Sequence, residues 1–279
     1  MAPVTVSVPV AEARLLAGLT TAVARAAAAI LAIPPTALAP REKADQSPVT
    51  AADEAAEAVI LEHLARLLPG VPVVSEEAAA HADPPAPPST FVLVDPLDGT
   101  REFLAGRQEF TVNVALVADW KPIIGVVAAP ASRRLWRGIV GQGAERLVLA
   151  TEGEPTALEP TVIRTRPAPA DSLVAAVSRS HPDAGTESYL AVLPVTQRIR
   201  LGSSEKFCLV AEGSADLYPR FSPTSEWDIA AGHAVLAAAG GTVTTPDGGP
   251  IQYGRAQQRF RVPGFMAWGD GEAARRYRP

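Results

Sequence analysis

Residues 91–100 read FVLVDPLDGT. The run from Phe91 to Val94 is apolar at every position, which predicts a strand buried on both faces. It ends in Asp95 and Asp98 with only Pro96 and Leu97 between them, and open sheets carry their sites at the carboxyl ends of strands. Two carboxylates at one buried mouth repel each other and do not both ionise without compensation. A divalent cation supplies it, and magnesium, which takes oxygen ligands and is usually shared with substrate phosphate, suits the position. Pro96 stiffens the turn, so the Leu97 carbonyl can act as a further ligand. Gly99 permits close backbone approach, and Thr100 brings a hydroxyl and an amide N–H. The turn therefore predicts metal plus phosphate.

Phosphatases with a nucleophilic aspartate use Asp-x-Asp-x-Thr after a buried strand. Here the spacing is one residue longer, Asp-Pro-Leu-Asp-Gly-Thr, which disfavours an aspartyl-phosphate mechanism. Three other acidic positions lie where elements begin or end. Thr50 opens a helix over 51–68, and Asp53 can complete a capping box with it. Glu76 follows the short strand VPVVS at 71–75, with Glu77 beside it. Asp228 lies in the first turn of the helix in SEWDIAAGHAVLAAAGG, residues 225–241, where a negative charge is favoured by roughly 0.3–1 kcal/mol. Taken singly, each of these reads more readily as structural than as functional.

Outward from the turn, residues 10–33 have the periodicity of an Ala/Leu-rich helix, and PREKADQSP at 40–48 reads as a polar loop. AAAHADPPAPPST at 78–90 has loop composition. FTVNVALV and PIIGVVAAP predict a hairpin around ADWK, with a third strand near RRLWRGIVG and a turn at GQGAERL. The second half alternates. SLVAAVSRS and ADLYPR read as strands, TQRIRLGSS as a strand or loop, and AGTESYLAVL and EKFCLVAEG as helices. The polar stretch EGEPTALEP divides the chain into an α+β unit, 1–155, with an antiparallel sheet and most of the metal ligands, and an α/β unit, 156–279, with Asp228 and the substrate contacts.

The 279 residues are 47% apolar and 20% charged with a net charge of −5, an ordinary globular composition. No Lys/Arg block argues for a nucleic-acid polymer or an anionic membrane. Cys208 is the single cysteine, which excludes an internal disulfide framework and suits a reducing, cytoplasmic setting as a small buried apolar group. The apolar run AAAAILAI at 26–33 is far short of the about 20 residues a spanning helix needs, and the N-terminus does not read as a signal peptide. Nothing in these residues, neither an anchor nor a basic amphipathic helix, supports more than a loose membrane association. Monomer and homodimer are equally open.

SPVTAAD (47–53), VVSEE (73–77), DPLDGT (95–100) and WDIAAG (227–232) resemble, in order, the motifs of the lithium-sensitive, magnesium-dependent inositol monophosphatase superfamily. Within it, DPLDGTREF, EFTVNVALV, SRSH, GSSEKFCLVAEGSADLYPRF and WDIAAGHAV are similar to the CysQ-type 3'(2'),5'-bisphosphate nucleotidases. Inositol monophosphatases typically carry Thr-Asn-Phe where this chain has Arg101-Glu102-Phe103. The chain departs from the CysQ pattern at Ile229, where Thr is frequent, and at Glu205, where an apolar residue is usual and a charge stands to perturb the nucleotide site.

The resemblance implies a layered α/β/α/β/α sandwich and hydrolysis of adenosine 3',5'-bisphosphate to AMP and phosphate, clearing a by-product of sulfate activation. It implies two to three Mg²⁺ ions: one on Glu76, Asp95 and the Leu97 carbonyl, a second on Asp95, Asp98 and Asp228, and a weaker third on Glu76 with Asp53 in its outer shell. Thr100 and Asp53 would orient the attacking water, with Glu76 the third catalytic residue. Gly99 and Thr100 would offer amides to the phosphate, whose surroundings include Glu76, Leu97, Asp98 and Asp228. His181, Ser203, Lys206 and Arg220 would surround the nucleotide. From the residues alone, Lys206 reads equally as a solvated helix lysine and His181 as a turn residue before Pro182. His63, His81 and His233 have no metal-ligand spacing, His233 reading as a packed helix residue and Trp227 as core beneath the site. The alternatives are an inositol- or sugar-phosphate phosphatase of the same superfamily, and a silent 3'-phosphonucleotide-binding protein, against which the intact acidic set argues.

Overall fold

A computed structural model describes residues 10–33, 41–42, 48–81, 84–150 and 156–279. The first helix, α1, is Val10–Ala32. The pair β1 (Arg41–Glu42) and β2 (Pro48–Val49) leads to α2, Ala51–Leu67. Then come β3 (Val73–Ser75), α3 (Glu76–His81), β4 (Phe91–Asp98) and α4 (Thr100–Leu104). Five antiparallel strands follow: β5 (Thr111–Ala118), β6 (Lys121–Ala129), β7 (Arg134–Ile139), β8 (Gly143–Leu149) and β9 (Ala157–Ile163). Strands β3 to β9 lie side by side in sequence order in one sheet, whose only parallel pairing is β3 with β4.

The second half contributes β10 (Leu173–Ser178), α5 (Ala184–Ala191), β11 (Val195–Leu201), α6 (Glu205–Ala211) and β12 (Leu217–Arg220). After these come β13 (Thr224–Ser225), α7 (Glu226–Ala238), β14 (Thr242–Thr244), β15 (Arg261–Val262), β16 (Phe265–Trp268) and α8 (Gly271–Arg276). A five-stranded sheet runs β11-β10-β12-β16-β14, parallel on the β11 side and antiparallel on the β14 side.

Strand alternation produces the layering. On β4 and β5, Val92, Val94, Val112 and Val114 face α1 and α2, while Phe91, Leu93, Ala115 and Val117 face α6 and α7. The same middle layer receives Ala176, Tyr218, Phe265 and Ala267 from the second sheet, whose other face packs Leu173, Leu217 and Trp268 on Tyr189 and Leu190 of α5 and Ala273 of α8. The order is α/β/α/β/α, as the resemblance implied. Helix α7 is apolar nearly all round because both its sides are buried between sheets.

Some elements differ from the sequence reading. Residues 76–81 are helical before the prolines begin, because the Ser75 hydroxyl accepts the Ala78 N–H at 3.2 Å and alanines sustain the turn. GQGAERL is not a turn throughout. The glycines form the hairpin and Gly143–Leu149 pairs with strands on both sides. The apolar stretch of α1 is longer than 26–33: Glu12–Ala32 has a mean hydropathy of 1.8 over a length that could span a membrane. Its inner side, Leu19, Val23, Ala26, Ala27 and Ile30, is buried against α2 and the sheet, as in a core helix.

Candidate metal and phosphate site

The quoted turn is a β-bulge. Asp95 pairs with Asn113 and Asp98 with Thr111, so three steps along β4 match two along β5. Residues three apart on a regular strand point to opposite faces, and the extra residue returns Asp98 to the side of Asp95. Both line one cavity of about 870 Å³. The Leu97 N–H donates to Asp95 Oδ1 at 3.1 Å, and the Leu97 side chain turns away into the α1/α2 layer. Gly99 has φ +93°, and a Cβ there would sit 2.9 Å from the Glu109 carbonyl, so both the backbone conformation and the close approach require glycine.

The other carboxylates arrive by separate routes. Parallel pairing of Ser75 with Val94 sets Glu76 beside Asp95. Asp228 is carried by the first turn of α7, where the Ser225 N–H donates to Oδ2 at 2.9 Å and the Thr224 hydroxyl donates to the same oxygen. One carboxylate oxygen from each of Glu76, Asp95 and Asp228 lies within 4.8 Å of the other two. Asp98 faces Asp228 and Lys206. Burial, and next the charge of Asp228, push the Asp98 carboxyl up to about 7, while Lys206 and the Ser204 N–H draw it down. A crowded set of hard oxygens, one of them raised in pKa by burial and next by a neighbouring carboxylate, fits a divalent cation, which would offset that cost.

Asp53 does not line the cavity. The capping box expected from the sequence is formed: Asp53 Oδ2 accepts from the Thr50 N–H (2.8 Å) and hydroxyl (2.7 Å). That pins the carboxylate so that Oδ1 lies 3.1 Å from Thr100 Oγ1, which is also 3.1 Å from the Leu97 carbonyl. One oxygen of the group thus serves the cap while the other reaches Thr100.

The facing wall is basic. Ser178, His181, Ser203, Lys206 and Arg220 line it. Lys206 is not a solvated helix lysine: it is 2% exposed. Its ammonium donates to the Leu201 carbonyl at 3.1 Å and to the Ser203 carbonyl, and lies 4.9 Å over the Tyr218 ring. Burial draws its pKa down to about 8, against the opposing pull of Asp98. Arg220 donates from Nε to Ser222 Oγ (3.1 Å) and from Nη2 to the Pro223 carbonyl (3.1 Å). His181 is exposed at the rim, its N–H on Ser178 Oγ at 3.2 Å. Partial burial, then Arg220 and Arg101, shift its ring below the usual histidine range. Ser203 has φ +51°.

Glu205 is buried in the first turn of α6 but is not part of the cavity wall, and Arg134 is the largest charge drawing down its raised pKa. The Glu205 charge acts on the wall through the neighbouring Lys206, whose pKa it raises. Trp227, expected in the core beneath the site, instead lines the cavity, largely buried and packed on Phe260 with ring centroids 6.0 Å apart. His233 lies outside the cavity with its ring on the Tyr253 hydroxyl at 2.9 Å. Cys208 is buried, and burial raises its thiol pKa.

Sequence reasoning missed Arg259 and Arg261, which also line the cavity. Arg259 lies in an irregular segment and Arg261 in the two-residue β15 that follows it; the segment is tied to α7 by Glu226, which is fully buried and accepts the N–H groups of Gly254 (2.6 Å) and Arg255 (2.9 Å). No periodic pattern marks such a segment.

A model of the inositol monophosphatase family matches residues 12–273. The 3'(2'),5'-bisphosphate nucleotidase CysQ of Escherichia coli (strain K12) is 46% identical over 234 residues, covering 80% of this chain and 86% of the relative. The crystal structure of CysQ from Bacteroides thetaiotaomicron superposes with a TM-score of 0.72 at 34% identity, covering 92% of this chain and 97% of the other. The structure of an inositol monophosphatase from Anabaena (Nostoc) sp. PCC 7120 gives a TM-score of 0.72 at 26% identity, covering 96% and 95%.

Proposed function

The chain belongs to the inositol monophosphatase family, and from that membership we propose that it is a magnesium-dependent 3'(2'),5'-bisphosphate nucleotidase, converting adenosine 3',5'-bisphosphate to AMP and phosphate in the cytoplasm. The observation that carries the reading is the pairing, across one cavity, of an acidic corner with a wall of Lys206, Arg220 and His181. A substrate with one phosphate to lose and a second anionic group to be held fits both sides at once.

Glu76, Asp95, Asp98, Asp228 and the Leu97 carbonyl would hold two to three Mg²⁺ ions. When bound, these lower the pKa of water and neutralise charge developing on the phosphoryl group and the leaving ribose oxygen. The chain's own residues supply orientation. Thr100 Oγ1 lies 3.1 Å from both Asp53 Oδ1 and the Leu97 carbonyl, and with its one proton on Asp53 its lone pairs would accept from the attacking water. A proton leaving that water can pass to Oγ1 as the hydroxyl proton moves to Asp53. The Gly99 and Thr100 amides would steady the phosphoryl oxygens for in-line displacement. On the other side, Lys206 and Arg220 hold the second phosphate and Ser203 and His181 border the nucleoside.

The test is steady-state phosphate release with adenosine 3',5'-bisphosphate, inositol 1-phosphate and fructose 1,6-bisphosphate at saturating Mg²⁺, with and without Li⁺. The bisphosphonucleotide is expected to have the highest kcat/KM, with inhibition by Li⁺. Faster turnover of either other substrate overturns the assignment.

A further inference from the structure

The segment between the metal turn and β5 also grips the opposite wall. Glu102, in α4, is 4% exposed and accepts the Ser180 hydroxyl. Glu109 accepts Arg179 through both oxygens, Nε to Oε2 at 2.8 Å and Nη2 to Oε1 at 2.7 Å, and its Oε2 also accepts the Gly202 N–H at 2.8 Å. The backbones meet here: a Cβ on Gly202 would lie 2.8 Å from the Glu109 carbonyl and 2.9 Å from Glu102 Cγ. The same Glu109 carbonyl is the atom that Gly99 approaches from the turn. Just beyond, Ser204 Oγ lies 2.8 Å from Thr111 Oγ1 and donates to Asn113 Oδ1 at 2.6 Å. Two of the gripped residues immediately precede wall residues, Ser180 before His181 and Gly202 before Ser203.

We propose that Glu102 and Glu109 are positioning residues: a two-carboxylate clasp that fixes the loops carrying His181 and Ser203–Lys206 at the distance from the metal turn that a bisphosphonucleotide requires. The identity of the ligand rests on the function proposed above; the clasp itself rests on the contacts. A purely structural role makes a different prediction. The Glu109 side chain is 17% and the Arg179 side chain 42% exposed, and an ion pair so placed adds little to folding. Loss of the clasp should therefore move substrate affinity far more than stability.

The experiment compares wild type with Glu109→Ala, Glu109→Gln and Arg179→Ala. It measures KM and kcat for adenosine 3',5'-bisphosphate, the half-activating Mg²⁺ concentration, the Kd of AMP by calorimetry, and Tm. Glu109→Ala is expected to raise KM and Kd about tenfold with kcat and Mg²⁺ activation within about twofold. Glu109→Gln keeps an acceptor for the Gly202 N–H and should recover part of the loss. Arg179→Ala should resemble it, and the double variant should be no worse than Glu109→Ala alone, because both changes break one unit. Unchanged KM and Kd, or a fall in kcat and Mg²⁺ activation with no change in affinity, overturns the proposal. If Glu109→Ala does not fold, Glu109→Gln against Arg179→Ala decides the same question. If the wild-type panel favours another phosphomonoester, the nucleotide assignment fails, and the clasp is judged on the KM of that substrate.

Discussion

On the acidic side Asp53, Asp95 and Asp228 are held by their own chain neighbours, whereas the loops that carry the basic side are tied to residues far along the chain. Asp53 is held by Thr50, Asp95 by the Leu97 amide, and Asp228 by Thr224 and Ser225. Against these, Ser180 is tied to Glu102 across 78 residues, Gly202 to Glu109 across 93 and Ser204 to Asn113 across 91. Locally fixed groups keep their place if the two halves shift slightly, and remotely fixed groups do not. Metal chemistry and substrate choice should accordingly separate under mutation.

The largest effect tests that separation from the acidic side. Asp95→Asn keeps an acceptor for the Leu97 N–H but removes a charge from the cluster with Glu76 and Asp228. We expect kcat to fall by roughly 10²–10³-fold, the scale seen when one group stabilising transition-state charge is removed. The Kd of AMP without Mg²⁺ should stay within about twofold, since no wall contact is touched. Equal losses in kcat and in AMP affinity would mean that the two sides are one unit.

Lys206 sharpens the comparison because it faces both sides, anchoring the wall through the Leu201 and Ser203 carbonyls while its charge acts on Asp98. Lys206→Met keeps the stem and deletes the ammonium. A hydrogen bond to a charged group is worth about 1.5–3 kcal/mol, so KM should rise by at least about tenfold, with a smaller change in kcat. A loss confined to kcat, read from the same steady-state curves, would assign Lys206 to the acidic side.

The acidic side was the legible one for the same reason that it is locally fixed. A capping residue, a strand end and a first helical turn are all written within a few positions, as in TAAD, DPLDGT and SEWD. The bulge was present only as an extra residue between two aspartates; its effect on side-chain direction needs the β5 partner. The basic side was legible through resemblance alone. Nothing near Lys206 announces that it is buried, and nothing near Arg259 that an αL turn brings it to the cavity. The layering depends on which face of each sheet meets α7, and alternation within one strand does not state that. The strands at 242–244 and 265–268 and the last helix carry no periodic signal, being short and set among turns.

The smallest effect separates the catalytic end of α7 from its middle. Asp228 is at the start of the helix, and His233, half-buried, has its ring on the Tyr253 hydroxyl at 2.9 Å. Burial lowers the His233 pKa to about 4 from the ordinary histidine value of 6.5. Between those values the unfolded chain binds the proton and the folded one does not. Stability conferred by the neutral ring is therefore present above about 6.5 and lost as pH falls towards about 4. His233→Gln keeps a polar partner for Tyr253 and cannot titrate. From about pH 7.5 to about pH 5 the wild-type Tm should fall by about 2–4 °C more than that of the variant, with kcat at about pH 7.5 equal in both. Parallel Tm curves would mean that the ring is protonated without cost in the folded protein. A drop in kcat for His233→Gln would mean that the helix middle, and not only its first turn, belongs to the acidic side.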